Sequence, residues 1–205
     1  MSKAKFATKI TAVALIALAF SIAAPARQAF AAGEMALLRK SAAPPNGFWL
    51  DQIDASALKQ TVGINNPGRT NEGFPIMLRG ATFQHGLSLR GGGVIALDLK
   101  GDAEKFMALV GADDARMGKG AISFQVWVDG KSVVVTPFFK GGDKPQLISV
   151  DLTGAKRLAL LADCRSGSPD EDHADWAGAL LIMKAGATAK PALMTVVDEP
   201  APPIA

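Results

Sequence analysis

The fold of this chain is signalled most plainly by the stretch Ile122-Ser123-Phe124-Gln125-Val126-Trp127-Val128-Asp129-Gly130-Lys131. Every second side chain from Ile122 to Val128 is aliphatic or phenylalanine, and a period of two predicts a strand with one face in the core. Asp129-Gly130 then predicts a two-residue type I′ hairpin, because both central positions of that turn need positive φ. The stretch therefore indicates antiparallel β structure.

Short apolar stretches broken by Gly, Asp, Asn and Pro extend this pattern in both directions. Many short strands separated by turn residues predict an all-β fold, a sandwich or a barrel of antiparallel strands. We expect strands within 48–50, 75–78, 93–99, 106–111, 121–128, 132–139, 147–152, 157–162 and 177–183. Helical signal is confined to residues 55–60 and 102–106, one or two turns each, with Asp102 as the N-cap of the second.

The first 31 residues have the layout of a secretory signal peptide. Lys3, Lys5 and Lys9 precede an uncharged run at 10–24, and Ala29-Phe30-Ala31 supplies the small residues of a cleavage site. The apolar run is shorter than the roughly 20 residues needed to cross a bilayer. We therefore predict a secreted or periplasmic protein that is cleaved at Ala31 and has no membrane span afterwards.

The basic character of the whole chain comes from this leader. Removing the leader's four basic residues lowers the count of Lys plus Arg from 22 to 18, against 19 acidic residues. The formal net charge of the mature chain is therefore near −1. No basic arm or stripe remains, and the sequence therefore predicts no nucleic-acid partner.

The rest of the chain is expected to contain one domain. Residues 32–46 form an N-terminal segment, 47–184 the domain, and 185–205 an Ala- and Pro-rich tail. A domain of about 140 residues buries enough surface to fold without a disulfide, which is consistent with a single cysteine. That cysteine, Cys164, follows an apolar run and is expected to be a buried, non-catalytic thiol.

Two carboxylates, an imidazole and an indole crowd the segment Asp172-His173-Ala174-Asp175-Trp176. The acids could act as general acid and base in glycoside hydrolysis, or they could ligate calcium through hard oxygen atoms. The third and favoured interpretation is structural: His173 and Asp175 form a buried hydrogen-bonded pair and Trp176 plugs the core. The candidate metal ligands are Asp113, Asp114, Asp172 and Asp175.

Trp127 is a candidate sugar platform. Its strand neighbours point to the core, so Trp127 and Gln125 are expected on the opposite face, where an indole can stack on a pyranose and an amide can bond its hydroxyls. An alternative is that another segment simply covers the ring, as most tryptophans are largely buried.

Gln84, His85 and Arg90 are the second group of candidate ligand residues. They flank Gly86 and precede Gly91-Gly92-Gly93, a turn whose flexibility lets the backbone approach a ligand. Their planar, multi-donor side chains suit sugar hydroxyls and also carboxylates. The glycines lack the Gly-Lys-Ser/Thr ending of a phosphate-binding loop.

Six motifs occur in a recognisable order across the domain. They are Phe48-Trp49-Leu50-Asp51, Gly80-x-x-Phe83-x-x-Gly86-Leu87, Val110-Gly111-Ala112-Asp113-Asp114, Phe124-x-Val126-x-Val128-Asp129-Gly130-Lys131, Val150-Asp151-Leu152-Thr153-Gly154 and Asp172-His173-Ala174-Asp175-Trp176. In this order and spacing the chain resembles the NPCBM family of modules attached to glycoside hydrolases. The resemblance covers essentially the whole domain.

The resemblance implies a galactose-binding-like jelly roll of two antiparallel sheets. It implies a non-catalytic module that binds galactose-containing glycans at a loop end, and a structural calcium is common in the wider fold. One departure stands out: where the family continues Gly-Thr-His-Ala after Gly86-Leu87, this chain has Ser88-Leu89-Arg90-Gly91. Arg90 thus replaces a histidine, which puts the sugar preference in question.

Three functions follow from these observations. We expect an exported, non-catalytic carbohydrate-binding module with a glycan partner. The alternative is an envelope module on the same scaffold that docks a partner protein through the Arg90 loop or the tail, because a fold does not fix a function. A stand-alone hydrolase that uses Asp172 and Asp175 is the third.

Overall fold

The computed structural model describes residues 24–62, 64–168 and 170–194. Most of the predicted leader and the last residues of the predicted tail therefore lie outside the described residues. The helices are α1 (Ala24–Leu37) and α2 (Ala55–Val62), and two 3₁₀ turns occupy Leu50–Gln52 and Asp114–Arg116. The strands are β1 (Gly47–Trp49), β2 (Ile76–Leu78), β3 (Ala81–Phe83), β4 (Gly86–Arg90), β5 (Gly93–Asp98), β6 (Ala103–Ala112), β7 (Ile122–Val128), β8 (Lys131–Val135), β9 (Gln146–Asp151), β10 (Arg157–Cys164), β11 (His173–Met183) and β12 (Ala192–Leu193).

Two five-stranded antiparallel sheets confirm the predicted sandwich. The first sheet has the order β1-β11-β6-β9, and β4 also pairs with β11. Both β1 and β4 fit beside β11 because it is long: β4 pairs with residues 173–177 and β1 with residues 180–182. The second sheet has the order β12-β5-β10-β7-β8, with the Asp129-Gly130 turn joining β7 to β8.

The main core lies between the two sheets and is centred on Trp176. Its ring centroid is 6.1 Å from that of Phe106 in the first sheet and 5.1 Å from that of Phe124 in the second. The Phe124 contact is edge-to-face, a geometry that stabilises an aromatic pair beyond the area it buries. The prediction that Trp176 plugs the core is thus confirmed.

A second, smaller core covers the outer face of the first sheet. The β2–β3 hairpin and the segment after α1 lie over this face and bury Trp49, Ile76, Phe83 and Leu180 there. Because both faces of β11 are covered, ten of its eleven residues are buried, and the simple in–out alternation disappears.

At Gly178 the alternation of β11 side chains between the two faces of the sheet is interrupted. The register shifts between Ala177 and Leu180, and Gly178 has a φ of 61°. A β-carbon on Gly178 would lie 2.5 Å from the carbonyl oxygen of Leu38. This glycine therefore lets the chain after α1 pass directly over the strand.

One local prediction was wrong: residues 103–106 belong to β6 and not to a helix, because Phe106 and its neighbours pair with β9 and β11. The strand Gly86–Arg90, which pairs with β11 over five residues, was not among the expected strands. The predicted helix at 55–60 is confirmed and extends to Val62.

None of the helices in the described residues is long and apolar enough to cross a membrane.

Candidate functional site

One end of the sandwich carries a cleft of about 710 Å³. We call it the loop-end cleft. Its walls come from three places: the end of β4, the loop between β6 and β7, and the loop before β11. The side chains that line it and matter below are Arg90, Arg116, Met117, Lys119, Asp170 and Glu171.

Two ion pairs join side chains that line the cleft. Arg90, at the end of β4, pairs with Asp170, and the Nζ of Lys119 lies 2.9 Å from Oε1 of Glu171. All four side chains are well exposed, so each pair is weak on its own and can open for a ligand. The two pairs connect the loop before β11 to the end of β4 and to the loop between β6 and β7.

Arg116 is held more firmly than the other cations. Its Nε donates to Nε2 of His173 at 3.3 Å, and its Nη2 lies 3.7 Å from Oε1 of Glu72. His173 is 2% exposed. Burial lowers the pKa of His173 below its ordinary value; Glu72 opposes this effect and Arg116 adds to it. A neutral imidazole accepts the Arg116 bond and orients the guanidinium.

The cleft is close to neutral although it is densely charged. Three cations line it, Arg90, Arg116 and Lys119, and two acids, Asp170 and Glu171; a third acid, Glu72, lies outside the lining beside Arg116. Donors and acceptors therefore alternate across the opening, and each sugar hydroxyl can both donate and accept. Met117, whose relative exposure is 67%, adds an apolar surface at the rim.

Asp172 organises the backbone behind the cleft. Its Oδ1 accepts from the amide of Ala121 at 2.9 Å, and its Oδ2 accepts from the hydroxyl of Ser166 at 2.6 Å and from the amide of the same residue at 3.1 Å. The carboxylate is 2% exposed. Its role is to tie the loop before β11 to the start of β7, so a catalytic role for this acid has no support in its surroundings.

The four predicted metal ligands do not share one site. Asp113 caps the turn Asp114–Arg116 and also accepts from the amide of Met77 at 3.2 Å, while Asp114 accepts from the amides of Arg79 and Gly80. Within residues 24–62, 64–168 and 170–194, no three His, Cys, Asp or Glu side chains converge as a metal ion requires. These carboxylates bond backbone amides and therefore do not fit a shared calcium site.

Asp175 has an unusual environment. It is fully buried between Ser88 of β4 and Gly111 of β6, and neither of its carboxylate oxygens has a hydrogen-bond partner among the described residues. Burial raises the pKa of Asp175 well above its ordinary value, and the nearby Asp113 carboxylate raises it further. The protonated form of Asp175 is therefore favoured, because a carboxylate that is buried beside another carboxylate is costly to ionise.

The predicted His173–Asp175 pair was wrong. Both side chains lie on the outer face of the first sheet, two residues apart along β11, but His173 contacts Arg116 and Glu72 and not Asp175.

Of the five predicted ligand residues, only Arg90 lines the loop-end cleft. Gln84 and His85 precede the other end of β4, about 16 Å away at the usual strand rise. Nδ1 of His85 faces Oδ2 of Asp51 at 2.9 Å and its Nε2 faces the carbonyl oxygen of Ser41 at 2.8 Å. Both ring nitrogens of His85 are therefore engaged inside the protein.

Trp127 and Gln125 lie on the outer face of the second sheet, as predicted. Trp127 is partly exposed, and its Nε1 donates to Oε1 of Gln125 at 3.0 Å. Trp127 is close to the hairpin end of β7, whereas the loop-end cleft adjoins the start of that strand near Lys119. The predicted ligand set is thus divided among three places.

Sequence reasoning missed Arg116, Met117 and Lys119. They fall in the glycine-rich run Arg116-Met117-Gly118-Lys119-Gly120 between two strands, where two cations in a short loop are a usable signal. Their contacts to His173 and Glu171 join segments more than fifty residues apart along the chain.

Comparisons with known proteins agree with this architecture. The NPCBM/NEW2 domain model matches residues 46–182. A Renibacterium salmoninarum protein named "Putative endo-alpha-N-acetylgalactosaminidase" is 30% identical over 142 residues, which are 69% of this chain. The chain spans only 9% of the length of that relative.

Two solved structures show the same fold. A CBM51 domain from Clostridium perfringens GH95 in complex with methyl-galactose has a TM-score of 0.57 at 21% identity, and the match covers 66% of this chain and 99% of that domain. The CBM51-2 and INT domains of Clostridium perfringens ZmpB, with CBM51-2 in complex with GlcNAc, have a TM-score of 0.53 at 26% identity, covering 58% and 28%. Because the family model matches well over half of the chain, this protein belongs to the NPCBM/NEW2 domain family.

Proposed function

We propose that this protein is an exported, non-catalytic carbohydrate-binding module that holds a neutral, galactose-containing glycan in the loop-end cleft. The observation that carries the proposal is the charge-balanced set of donors and acceptors around an opening of about 710 Å³. Binding sites for small ligands commonly occupy 300 to 1,000 Å³, by rough survey values.

Family membership supports a sugar as the ligand. The matched family model spans residues 46–182, so it includes every strand that borders the cleft. A structural relative binds methyl-galactose, and a sequence relative is named as an enzyme acting on N-acetylgalactosaminides. Galactose-type sugars are therefore the first ligands to test.

The balance of charge favours a neutral sugar in this cleft. A carboxylate or sulfate would compete with Asp170 and Glu171 for their cations, at the cost of leaving those acids unpaired. The hydroxyls of a neutral pyranose can bind without displacing Asp170 or Glu171 from these cations. The guanidinium of Arg116, oriented by His173, is suited to bond two of them at once.

Binding without catalysis is consistent with the acids of the cleft. Asp170 and Glu171 are exposed and ion-paired, and Asp172 is bonded to backbone and hydroxyl donors. Glycoside hydrolysis needs one carboxyl group that stays protonated beside the scissile bond and a second that is ionised. The only acid with a strongly raised pKa among the described cleft-side carboxyls, Asp175, is fully buried in the sheet.

Export is part of the proposal and is supported by the leader sequence. Lys3, Lys5 and Lys9, the uncharged run and Ala29-Phe30-Ala31 carry that inference. Mass spectrometry of the protein recovered from the periplasm or the medium tests it, and a mature N-terminus at Ala32 is expected.

A glycan array followed by calorimetric titration with methyl galactoside tests the binding. Arg90→Gln and Arg116→Gln are each expected to weaken affinity by about tenfold or more, because each removes a charged donor. Lys131→Gln, at an exposed site in the hairpin after β7, is the matched control. A titration with chelator beside one with calcium tests the calcium prediction.

Trp127→Ala distinguishes the two candidate surfaces. Unchanged affinity is expected if the sugar occupies the loop-end cleft, and loss of affinity would move the site to the outer face of the second sheet. An array with no signal for any glycan would refute the proposal and direct attention to a protein partner.

A further inference from the structure

A second cleft, of about 430 Å³, lies over the outer face of the first sheet. We call it the helix-side cleft. The segment around α1 forms one wall, and the β2–β3 hairpin and the residues just before β9 form the other. It is separate from the loop-end cleft, with which it shares no lining residue.

The floor of this cleft is apolar and rigid. Leu78, Phe83 and Leu109 are each 2% exposed and belong to the second core. Met35, from α1, stands at the wall with a relative exposure of 38%. A ligand placed here meets packed hydrocarbon below it and a flexible thioether at its side.

Three cations surround this floor. The guanidinium carbon of Arg39 lies 5.8 Å from the ring centroid of Phe83, and Arg79 and Lys144 line the opposite side. Among the described residues, none of the three forms an ion pair with an acid, in contrast to the paired cations of the loop-end cleft.

Two acids that adjoin the cations of this cleft are engaged with the backbone. Asp114 accepts from the amides of Arg79 and Gly80 at 2.8 and 2.6 Å, and Asp143, next to Lys144, accepts from the amide of Lys140 at 2.8 Å. Neither acid lines the cleft. The lining therefore carries positive charge and offers only cationic side-chain groups to an incoming ligand.

The wall formed by the N-terminal segment is anchored. Glu34 is buried, with its Oε1 accepting from the hydroxyl of Ser149 at 3.0 Å and pairing with Lys105, and Leu38 is fully buried one turn later. This segment precedes residue 46, where the family match begins. The helix-side cleft is thus completed by a part of the chain outside the family domain.

We propose that the helix-side cleft binds an acidic sugar unit, a pyranose that carries a carboxylate. The carboxylate would be held by Arg79 and Arg39, whose planar guanidinium groups match its geometry, and the apolar face of the ring would lie against Met35. The site is distinct from the loop-end cleft, and the choice of a sugar over another anion rests on the proposed function.

The volume of the cleft also favours a compact ligand. About 430 Å³ is enough for one or two sugar units but is short for a folded partner surface. The unpaired cations explain why an acid is preferred here, since opposite charge on the ligand replaces the missing partners.

Titration of the ¹⁵N-labelled full chain with oligogalacturonate and with neutral galactan oligomers of equal length tests this proposal. Shifts in the amides of residues 35–39, 78–83, 144 and 146 are expected with the uronate only, since Pro145 has no amide hydrogen. Arg39→Gln and Arg79→Asn are each expected to weaken uronate binding about tenfold. Asparagine is chosen because Arg79 has a φ of 48°, which asparagine tolerates.

Two controls separate this proposal from the proposed function. Arg90→Gln should weaken galactoside binding and leave uronate binding unchanged, and Lys131→Gln should change neither. Equal shifts with neutral and acidic oligomers, or uronate shifts confined to the loop-end cleft, would overturn the assignment. A poly-glutamate peptide that binds as tightly as the uronate would overturn the choice of a sugar.

Discussion

The indole of Trp49 and the imidazole of His85 stack face to face, with ring centroids 4.5 Å apart and planes 6° apart. Trp49 is fully buried, and His85 closes over it with both ring nitrogens facing acceptors on Asp51 and Ser41. His85, which the sequence suggests as a sugar ligand, therefore helps to hold the segment after α1 against the domain.

His85→Ala is expected to destabilise the protein by about 2 to 3 kcal/mol, since it removes one aromatic stack and two hydrogen bonds. Thermal unfolding measures the change. Gln84→Ala, at the exposed neighbouring position, is the control and should have little effect. Weaker galactoside binding by folded His85→Ala protein would contradict this structural role.

Asp175→Asn is expected to stabilise the protein at neutral pH. Because the folded pKa of Asp175 is raised, the native state keeps a proton that the unfolded chain releases above its ordinary value of 3.8. Stability therefore falls as the pH rises from that value, by at most about 1.4 kcal/mol per pH unit. Asparagine does not titrate, so the variant does not lose stability in this way. The difference in the free energy of unfolding between variant and wild type should therefore grow with pH in urea denaturation experiments.

Asp54→Asn is the matched control for that experiment. Asp54 is exposed, and its bonds to the hydroxyl and amide of Ser56 lower its pKa. Its contribution to stability has the opposite sign, since it is present above the ordinary pKa and is lost in acid. An Asp175→Asn variant whose stability relative to wild type is the same at pH 4 and pH 8 would rule out the protonated carboxyl.

His173 should titrate below its ordinary pKa of 6.5. The unfolded chain then takes up a proton before the native state does, so stability declines as the pH falls below about 6.5. The chain has only two histidines, so proton NMR of the imidazole resonances can follow each one. Galactoside affinity should fall over the acidic range in which His173 itself becomes charged, because an imidazolium no longer accepts the bond from Arg116.

His173→Gln supplies the comparison for this pH effect. Glutamine keeps an acceptor for Arg116 but does not titrate, and it should remove the acid-dependent loss of affinity. If wild type and variant lose affinity in parallel as the pH falls, another group is responsible.

Gly178→Ala is expected to release the segment after α1. A β-carbon at Gly178 meets the Leu38 carbonyl at 2.5 Å, in addition to the strain of a φ of 61°. Gly186→Ala isolates the strain, because Gly186 also has positive φ but has nothing within 4 Å of the added carbon. The control should cost about 1 kcal/mol and Gly178→Ala about 2 kcal/mol more.

Cys164 should react slowly with alkylating reagents in the native state. Burial, together with the negative charges of Asp172 and Asp163, raises the pKa of the Cys164 thiol to about 12. Since only the thiolate is nucleophilic, labelling with iodoacetamide at neutral pH should require denaturant. Rapid labelling of the native protein would contradict this environment.

The local patterns of the sequence predicted most of the fold. Alternation in Ile122–Val128 and the Asp129-Gly130 turn led correctly to an antiparallel pair, and the spaced motifs led to the jelly roll. Patterns failed where a strand is covered on both sides or begins beside glycines, as in Gly86–Arg90 and residues 102–106. In those places pairing with β11 overrides local preference.

The candidate site was much less predictable than the fold. Arg90 was identified, but Arg116, Met117 and Lys119 were not, and His85 was assigned to a ligand that it does not face. Short-range spacing says which side chains share a strand face, yet it does not say which loops meet at one end of a sandwich.

The sequence by itself determined that this protein is an antiparallel β-sandwich, because strand alternation and turn chemistry are local properties of the chain, and its ordered motifs carried the resemblance to the NPCBM family. Only the tertiary structure decided that Arg116 is oriented by His173, that Asp175 is buried without a partner, and that Arg39 and Arg79 face one cleft. The physical reason is that burial, charge balance and proton affinity depend on groups brought together from distant parts of the chain.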